Sequence, residues 1–208
     1  MRYNNLTGPS GSYTMISTEQ VKELREKTGV SIMQCRKALE EASGDIEKAL
    51  IILKKRGADF AAKKGDRTLG AGTIQSYIHA NGSVGAIVEL SSETDFVAKN
   101  EDFKKAAYDI AMHVAATNPE FLSMDDVTED AKAKAEEAFQ GELEGKPEEM
   151  KRKIMDGKLQ SYFAERVLLE QPFIKNPETT IKELVTSLIQ KFGEKSEIRR
   201  FVRFSTGD

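Results

Sequence analysis

Hydrophobic and polar positions alternate in two regimes along the chain. From Ser17 to about Gly57, apolar residues recur at helical spacing in three short segments: Val21 and Leu24; then Cys35, Ala38, Leu39 and Ala42; then Ile46, Ala49, Leu50 and Leu53. Each segment has its own punctuation. Ser17 with Gln20 reads as a capping box and Gly29 as a stop, Ser31 with Gln34 repeats the device until Gly44, and Asp45 caps a third helix stopping near Gly57. The pattern predicts a three-helix unit of about 40 residues, near the lower limit for independent folding. From Gly72 the period changes to two. Residues 72–80 and 83–90 are β-rich runs separated by Asn81-Gly82, a strong hairpin signal. The pairing dictated by that turn sets Tyr77, His79, Val84, Ala86, Val88 and Leu90 on one face, and Ile74, Ile78 and Ile87 on the other. Both faces are apolar, so the second should be covered as well. Residues 195–204 read as a third strand, with Ile198, Val202 and Phe204 opposite Phe201.

Between hairpin and third strand the period is again helical. One helix carries Phe103, Ala106, Ala107, Ile110 and Val114 and stops near Asn118-Pro119. A charged, weakly apolar region from Asp125 is broken at Gly145–Pro147, and a second run continues to Leu168. Charge and weak apolar density from Asp125 to Lys153 predict a protruding, mobile arm. Gln171-Pro172-Phe173 ends it, and Thr180 starts a last helix that stops at Gly193. The stretch from Ser91 to Asn100 is where strand hands over to helix. Ser92 and Thr94 are both good N-cap types, and either cap places Asp95 by the first turn, where a carboxylate is favoured. Two readings of Phe96 stand. Seven residues before Phe103 and fourteen before Ile110, it continues the core stripe; alternatively, Asp95 and Phe96 form a wedge presented to a partner.

Composition narrows the chemistry. With 208 residues and a formal charge of −3, the chain can bury a sizeable core and has no global attraction to nucleic acid. The basic stretch Lys54–Arg67 carries one aromatic, Phe60, and reads as a solvated linker with partial helix. No apolar run is long enough to cross a membrane. The one cysteine, Cys35, excludes an internal disulfide and fits a reducing cytoplasm; on the apolar face of its helix it is most simply a buried small residue. Residues 1–14 lack periodicity and an apolar secretory core, and read as a disordered leader or a head added in cloning. Ile32 and Met33, in a first helical turn after a tight loop, are either docking residues or plugs of the small core. Gly70-Ala71-Gly72 and Gly193-Glu194-Lys195-Ser196 lack the remaining glycines of nucleotide loops. His79 and His113 have no spaced partners for a metal, and no nucleophile stands near a base. The sequence therefore reads as a binding protein, with no enzymatic activity, cofactor or metal.

Several motifs taken together carry a resemblance: Val21-Lys22-Glu23-Leu24-Arg25, Thr28-Gly29, Cys35-Arg36-Lys37-Ala38-Leu39, Gly44-Asp45, Ala61-Ala62-Lys63-Lys64, Glu93-Thr94-Asp95-Phe96-Val97-Ala98 and Gln171-Pro172-Phe173. From about Ile16 to its end the chain resembles bacterial elongation factor Ts. The resemblance implies a guanine-nucleotide exchange factor for elongation factor Tu, of α+β class: a ubiquitin-associated-like three-helix domain, then a core whose three-stranded antiparallel sheet packs against helices, with a helical arm. The expected boundaries are a head at 1–14, the three-helix domain at 15–57, a basic linker at 58–70 and the core at 71–208, its arm at about 125–157.

By the same resemblance, Thr94, Asp95, Phe96 and Val97 match the segment that intrudes beside the partner's nucleotide site and dislodges Mg²⁺. Ile32, Met33, Cys35 and Arg36 match the part of the N-terminal domain that docks on the same partner, and Lys64 matches a basic contact of the linker. His79, Phe192 and Gly193 match positions that in longer relatives touch another domain of elongation factor Tu. Arg36 stands where relatives often carry lysine, a change that keeps charge but alters geometry. Longer relatives also have two related core halves, whereas this chain has one hairpin and one further strand. As a short form, it is expected to pair sheet on sheet as a homodimer and to bind two elongation factor Tu molecules. The competing expectation is an adaptor or scaffold whose three-helix unit, through Ile32-Met33, binds ubiquitin-like or peptide ligands.

Overall fold

A computed structural model describes residues 16–143, 145 and 147–207. The expected head at 1–14 lies outside the described residues. The architecture is α+β, and the described chain divides between Asp59 and Phe60 into two compact units.

The first unit holds α1 (Thr18–Thr28), α2 (Ile32–Glu41) and most of α3 (Ile46–Ala62). Ser17 and Gln20 make the complete capping box, and Gly29 leaves α1 in the left-handed region at φ 68°. Ser31 keeps only half of that device: its hydroxyl accepts the Gln34 N–H at 3.4 Å, with no reciprocal bond. Leu24, Val30, Cys35, Ala38, Leu39, Ala49 and Leu53 form the small core. The α3 helix does not stop near Gly57. A mid-helix glycine costs about 1 kcal/mol relative to alanine, and Gly57 is buried with the helix continuing to Ala62. Phe60 and Ala61, from that last turn, pack on the core of the second unit, so part of the expected linker is helix.

In the second unit, β1 (Ala71–Ile78), β2 (Val84–Ser92) and β5 (Ser196–Ser205) form an antiparallel sheet in the order β1-β2-β5. The register from Ile78↔Gly85 to Ala71↔Ser92 is that of a turn centred on Asn81-Gly82. Gly82 takes φ 70°, and its N–H closes onto the His79 carbonyl at 2.7 Å. Helix α5 (Glu101–Thr117) crosses the inner face, where Ala106, Ala107 and Ala111 permit close approach and Phe103, Ile110 and Val114 fill the space toward Val88 and Leu90. Helix α8 (Ile181–Phe192) adds Ile181, Val185, Leu188 and Ile189. Its N-terminus carries the complete Thr180/Glu183 capping box.

The third strand departs from simple alternation. Glu89 faces Arg200 while Leu90 faces Ile198, so Arg199 is an extra residue and the parity of β5 resets there. Ile198 therefore joins Phe201 on the core side, and Val202 and Phe204 move to the outer face beside Ile74, Ile78 and Ile87. All five outer residues are exposed, Phe204 the most at 66%.

Helices α6 (Glu129–Gln140) and α7 (Glu148–Ala164) make the arm, closed at its base by Val127, Ala135, Phe163 and Val167. The run through Gly157 stays helical, and the chain after α7 forms a small hairpin, β3 (Pro172–Phe173) and β4 (Asn176–Thr180), absent from the sequence reading. That hairpin is pinned to α5 by a buried polar cluster. His113 is fully buried; its Nε2 lies 2.8 Å from Gln171 Oε1, and its Nδ1 accepts the Ile174 N–H at 3.3 Å. An accepting Nδ1 makes Nε2 the protonated nitrogen, donating to Gln171. Gln171 in turn donates to the Glu165 carbonyl at 2.6 Å and accepts from the Thr117 hydroxyl at 2.9 Å.

Burial pushes the His113 pKa below its ordinary 6.5, with the Gln171 bond opposing. The unfolded chain therefore binds the extra proton first, and stability is full above about pH 6.5 and declines as the pH falls toward the folded value. Thermal melts are expected to show this loss, up to about 1.4 kcal/mol per pH unit from one proton. A His113→Gln variant should be less stable at pH 7.5 but show a flatter pH dependence between 6.5 and 5.

Candidate partner-binding corner

The hand-over from β2 to α5 is made by a single helical turn, α4 (Asp95–Ala98). Its residues divide sharply. Val97 and Ala98 are buried in the core of the second unit, whereas Thr94, Asp95 and Phe96 are exposed, Phe96 at 80%. Of the two readings of Phe96, the core stripe is the one the fold does not take: the stripe begins at Val97, one residue later. Val97, which the resemblance groups with Thr94, Asp95 and Phe96, is the buried anchor of that turn.

Asp95 pairs with Lys99 one turn on, both side chains largely exposed. The hydrogen bond and charge of Lys99 hold the Asp95 carboxyl below the usual carboxylate range, so it is ionised at neutral pH. Thr94 occupies the N-cap position but makes no side-chain cap. Its hydroxyl donates to Glu194 Oε1 at 2.7 Å, and its backbone N–H to Glu194 Oε2 at 3.0 Å. The neighbouring residue returns the arrangement: Glu93 Oε1 accepts the Lys195 N–H at 2.6 Å. Ser92, the other cap candidate, is buried and donates to the Thr94 carbonyl at 2.9 Å.

Lys64 is drawn into the same knot. Its ammonium donates to the Gly193 carbonyl at 2.7 Å, lies 3.8 Å from Glu93 and sits over the Phe60 ring. Arg67 approaches Glu93 at 3.7 Å, and Lys195 Nζ donates to the Gly65 carbonyl at 2.8 Å. Phe192 packs edge-on against Phe103 at 5.8 Å, and Lys191 pairs with Asp102 at 2.7 Å. Lys64, Thr94 to Val97, Phe192 and Gly193, widely spaced in sequence, thus meet at one junction. Neither Glu93 nor Glu194 has a role predicted from sequence, and a bond spanning 100 positions leaves no local signal there.

His79 stands apart. It is exposed at the hairpin tip, with the Tyr77 hydroxyl 3.1 Å from Nδ1. Eight paired residues of β1 separate that tip from the corner, about 25 Å at strand rise. In the first unit, Ile32 (53%), Met33 (65%) and Arg36 are exposed, whereas Cys35 is wholly buried. The Cys35 thiol lies 3.7 Å from the Val30 carbonyl and 3.8 Å from the Thr28 hydroxyl, and burial raises its pKa. Cys35 therefore supports the loop that presents Ile32 and Met33 and has no surface of its own. Ile51 on α3 is a further exposed apolar residue outside the sequence-predicted set.

Among the described residues there is no group of His, Cys, Asp and Glu able to hold a metal, and no helix long and apolar enough to cross a membrane. The corner offers a charged group and an apolar ring on a firm base, an arrangement suited to recognition by shape and charge.

The sequence profile of the family described as Elongation factor TS matches residues 19–208. The chain is 48% identical over 196 residues to elongation factor Ts of Acetivibrio thermocellus, covering 93% of this chain and 91% of that relative. It is equally similar to elongation factor Ts of Carboxydothermus hydrogenoformans, across 93% and 90% of the two chains. That of Thermodesulfovibrio yellowstonii is 47% identical over 193 residues, 92% of this chain and 96% of the relative. The chain therefore belongs to the elongation factor Ts family, a family of translation elongation factors.

The division of labour within α4 is measurable as stability. Val97→Ala should destabilise the fold by about 1–3 kcal/mol, through lost burial and an imperfectly filled site. Phe96→Ala should fall within about 0.5 kcal/mol of the parent, as surface changes generally do. Chemical denaturation of the two variants checks both; equal losses would return Phe96 to the core.

Proposed function

We propose that the protein is a guanine-nucleotide exchange factor for elongation factor Tu, and that Thr94, Asp95 and Phe96 are the segment that enters the partner beside its bound GDP. The observation that carries this reading is the large exposure of Phe96 one residue before a buried anchor. A ring so placed contributes little to its own fold and is available to a neighbour. Mg²⁺ bridges phosphate oxygens and protein oxygens in nucleotide sites, so displacing the elements that hold it weakens GDP as well. Binding energy realised at the corner favours the nucleotide-free partner, and by linkage returning nucleotide weakens the factor's own hold. No covalent step is needed, and the protein acts as a binding partner of the GTPase in the cytoplasm, without cofactor, metal, nucleic acid or membrane.

The N-terminal unit acts as a ubiquitin-associated-like domain that docks on the same partner through Ile32, Met33 and Arg36, while Lys64, His79, Phe192 and Gly193 belong to secondary contacts. Lys64 and Gly193 are bonded to one another, so their part is to hold the junction as much as to touch the partner. The adaptor reading keeps one supporting observation, the exposed Ile32-Met33 pair. Recovery of ubiquitin-like proteins, and not of an abundant GTPase, would favour it.

The exposed outer face of the sheet supports the homodimer. Ile74, Ile78, Ile87, Val202 and Phe204 form one apolar surface on a single layer, which a second copy packed face to face would cover.

Two experiments test these readings. Following labelled GDP leaving elongation factor Tu, Phe96→Ala should slow stimulated release by about 10- to 30-fold, the scale of a hot-spot residue, with Asp95→Ala slowing it less. Unchanged release with both variants would remove the corner from the mechanism. Light scattering at micromolar concentration should give twice the 23.1 kDa chain mass, reverting to one chain for Phe204→Glu; a parent already at 23.1 kDa would rule out the dimer.

A further inference from the structure

We infer that Glu194 is a positioning residue for the corner, its carboxylate fixing the direction in which Asp95 and Phe96 leave the molecule. This rests on the reading that those residues enter the partner. A helix of four residues does not sustain itself, and α4 has no side-chain cap because the Thr94 hydroxyl is turned to Glu194 instead. Both Glu194 oxygens are used on Thr94, one on the hydroxyl at 2.7 Å and one on the backbone N–H at 3.0 Å. A two-point bond to one residue fixes its orientation as well as its position.

The clamp is itself held. Gly193, at φ 72°, turns the chain out of α8 so that Glu194 faces Thr94. Lys64 holds the Gly193 carbonyl, and the Lys195 N–H is held by Glu93. Residues 191, 192, 194 and 195 thus each grip a group between Glu93 and Phe103. Two of the clamp's partners, the Thr94 N–H and hydroxyl, lie two residues from the exposed ring. With its approach set beforehand, the ring loses less freedom on entering a partner, and that difference appears as faster exchange at a given concentration.

The test compares Glu194→Ala, Glu194→Asp and Glu194→Gln in full-length protein. Alanine removes both acceptors; aspartate keeps the charge but falls a methylene short. Glutamine keeps the reach, because its amide can donate to the Thr94 hydroxyl while its oxygen accepts the N–H. Stimulated GDP release from elongation factor Tu should fall about three- to tenfold in kcat/KM for alanine and aspartate, with glutamine close to the parent. Amide hydrogen exchange at Thr94 should quicken in the alanine and aspartate variants while core amides of α5 remain protected. A double variant, Phe96→Ala with Glu194→Ala, should be no slower than Phe96→Ala alone, because the clamp acts through the ring. Additive losses, or parent-like exchange at the Thr94 amide in both short variants, would overturn the positioning role. If Phe96→Ala has no effect on release while the Thr94 amide still loses protection, the clamp stands and the partner reading fails. Should alanine unfold the protein, aspartate and glutamine carry the same comparison.

Discussion

One constraint organises the second unit: two exposed residues, Asp95 and Phe96, are joined without a linker to two buried ones, Val97 and Ala98. Leaving a phenylalanine in water forgoes about 1.5–3 kcal/mol of burial. The chain could recover that by sliding one position, yet the same slide carried into α5 would bring Asp102 and Lys105 into the buried places of Phe103 and Ala106. Register is therefore set by what lies on either side of the ring: β2, paired on both edges, fixes the approach, and the Phe103–Val114 stripe of α5 fixes the exit. The bond of Glu93 to the Lys195 N–H and that of Thr94 to Glu194 then tie the corner to the α8–β5 turn, far away in sequence.

The same dependence on neighbours shapes the sheet. Its inner face is closed by α5 and α8, and the small side chains of α5 let the helix lie close above β1 and β2. The outer face keeps its isoleucines, Val202 and Phe204 in the open. The bulge at Arg199 concentrates that surface, because it sends Ile198 inward and Val202 and Phe204 outward. A regular strand would have divided these residues differently between the faces. The irregularity is therefore part of how the outer surface is built.

Sequence periodicity was informative wherever structure is local. Helix starts at Ser17 and Thr180, the stop at Gly29 and the hairpin register around Asn81-Gly82 follow from neighbours within a few positions, and all of them form as that chemistry dictates. Departures occur where distant contacts decide. Gly57 does not end α3, because Phe60 and Ala61 gain a core to pack on. The β5 bulge has no signature in an alternation that looked regular. Cys35 and Val97 sit inside motifs that the resemblance placed at the partner surface, yet both are buried as supports for exposed neighbours. Periodicity alone left Phe96 divided between core and surface, since heptad spacing from Phe103 and Ile110 fits either; the start of α4 resolves it by placing Val97 on the core side. Glu93 and Glu194 were illegible for a different reason, each being an ordinary acidic residue until the fold brings its backbone partner to it.

The most direct test of this account places a fluorinated phenylalanine at position 96 and follows its fluorine resonance with and without elongation factor Tu·GDP. In the free protein the signal should be solvent-exposed and sensitive to soluble quenchers, and it should shift and become protected when the partner is added. A signal already protected in the free protein, or one that stays exposed in the saturated complex, would contradict this account.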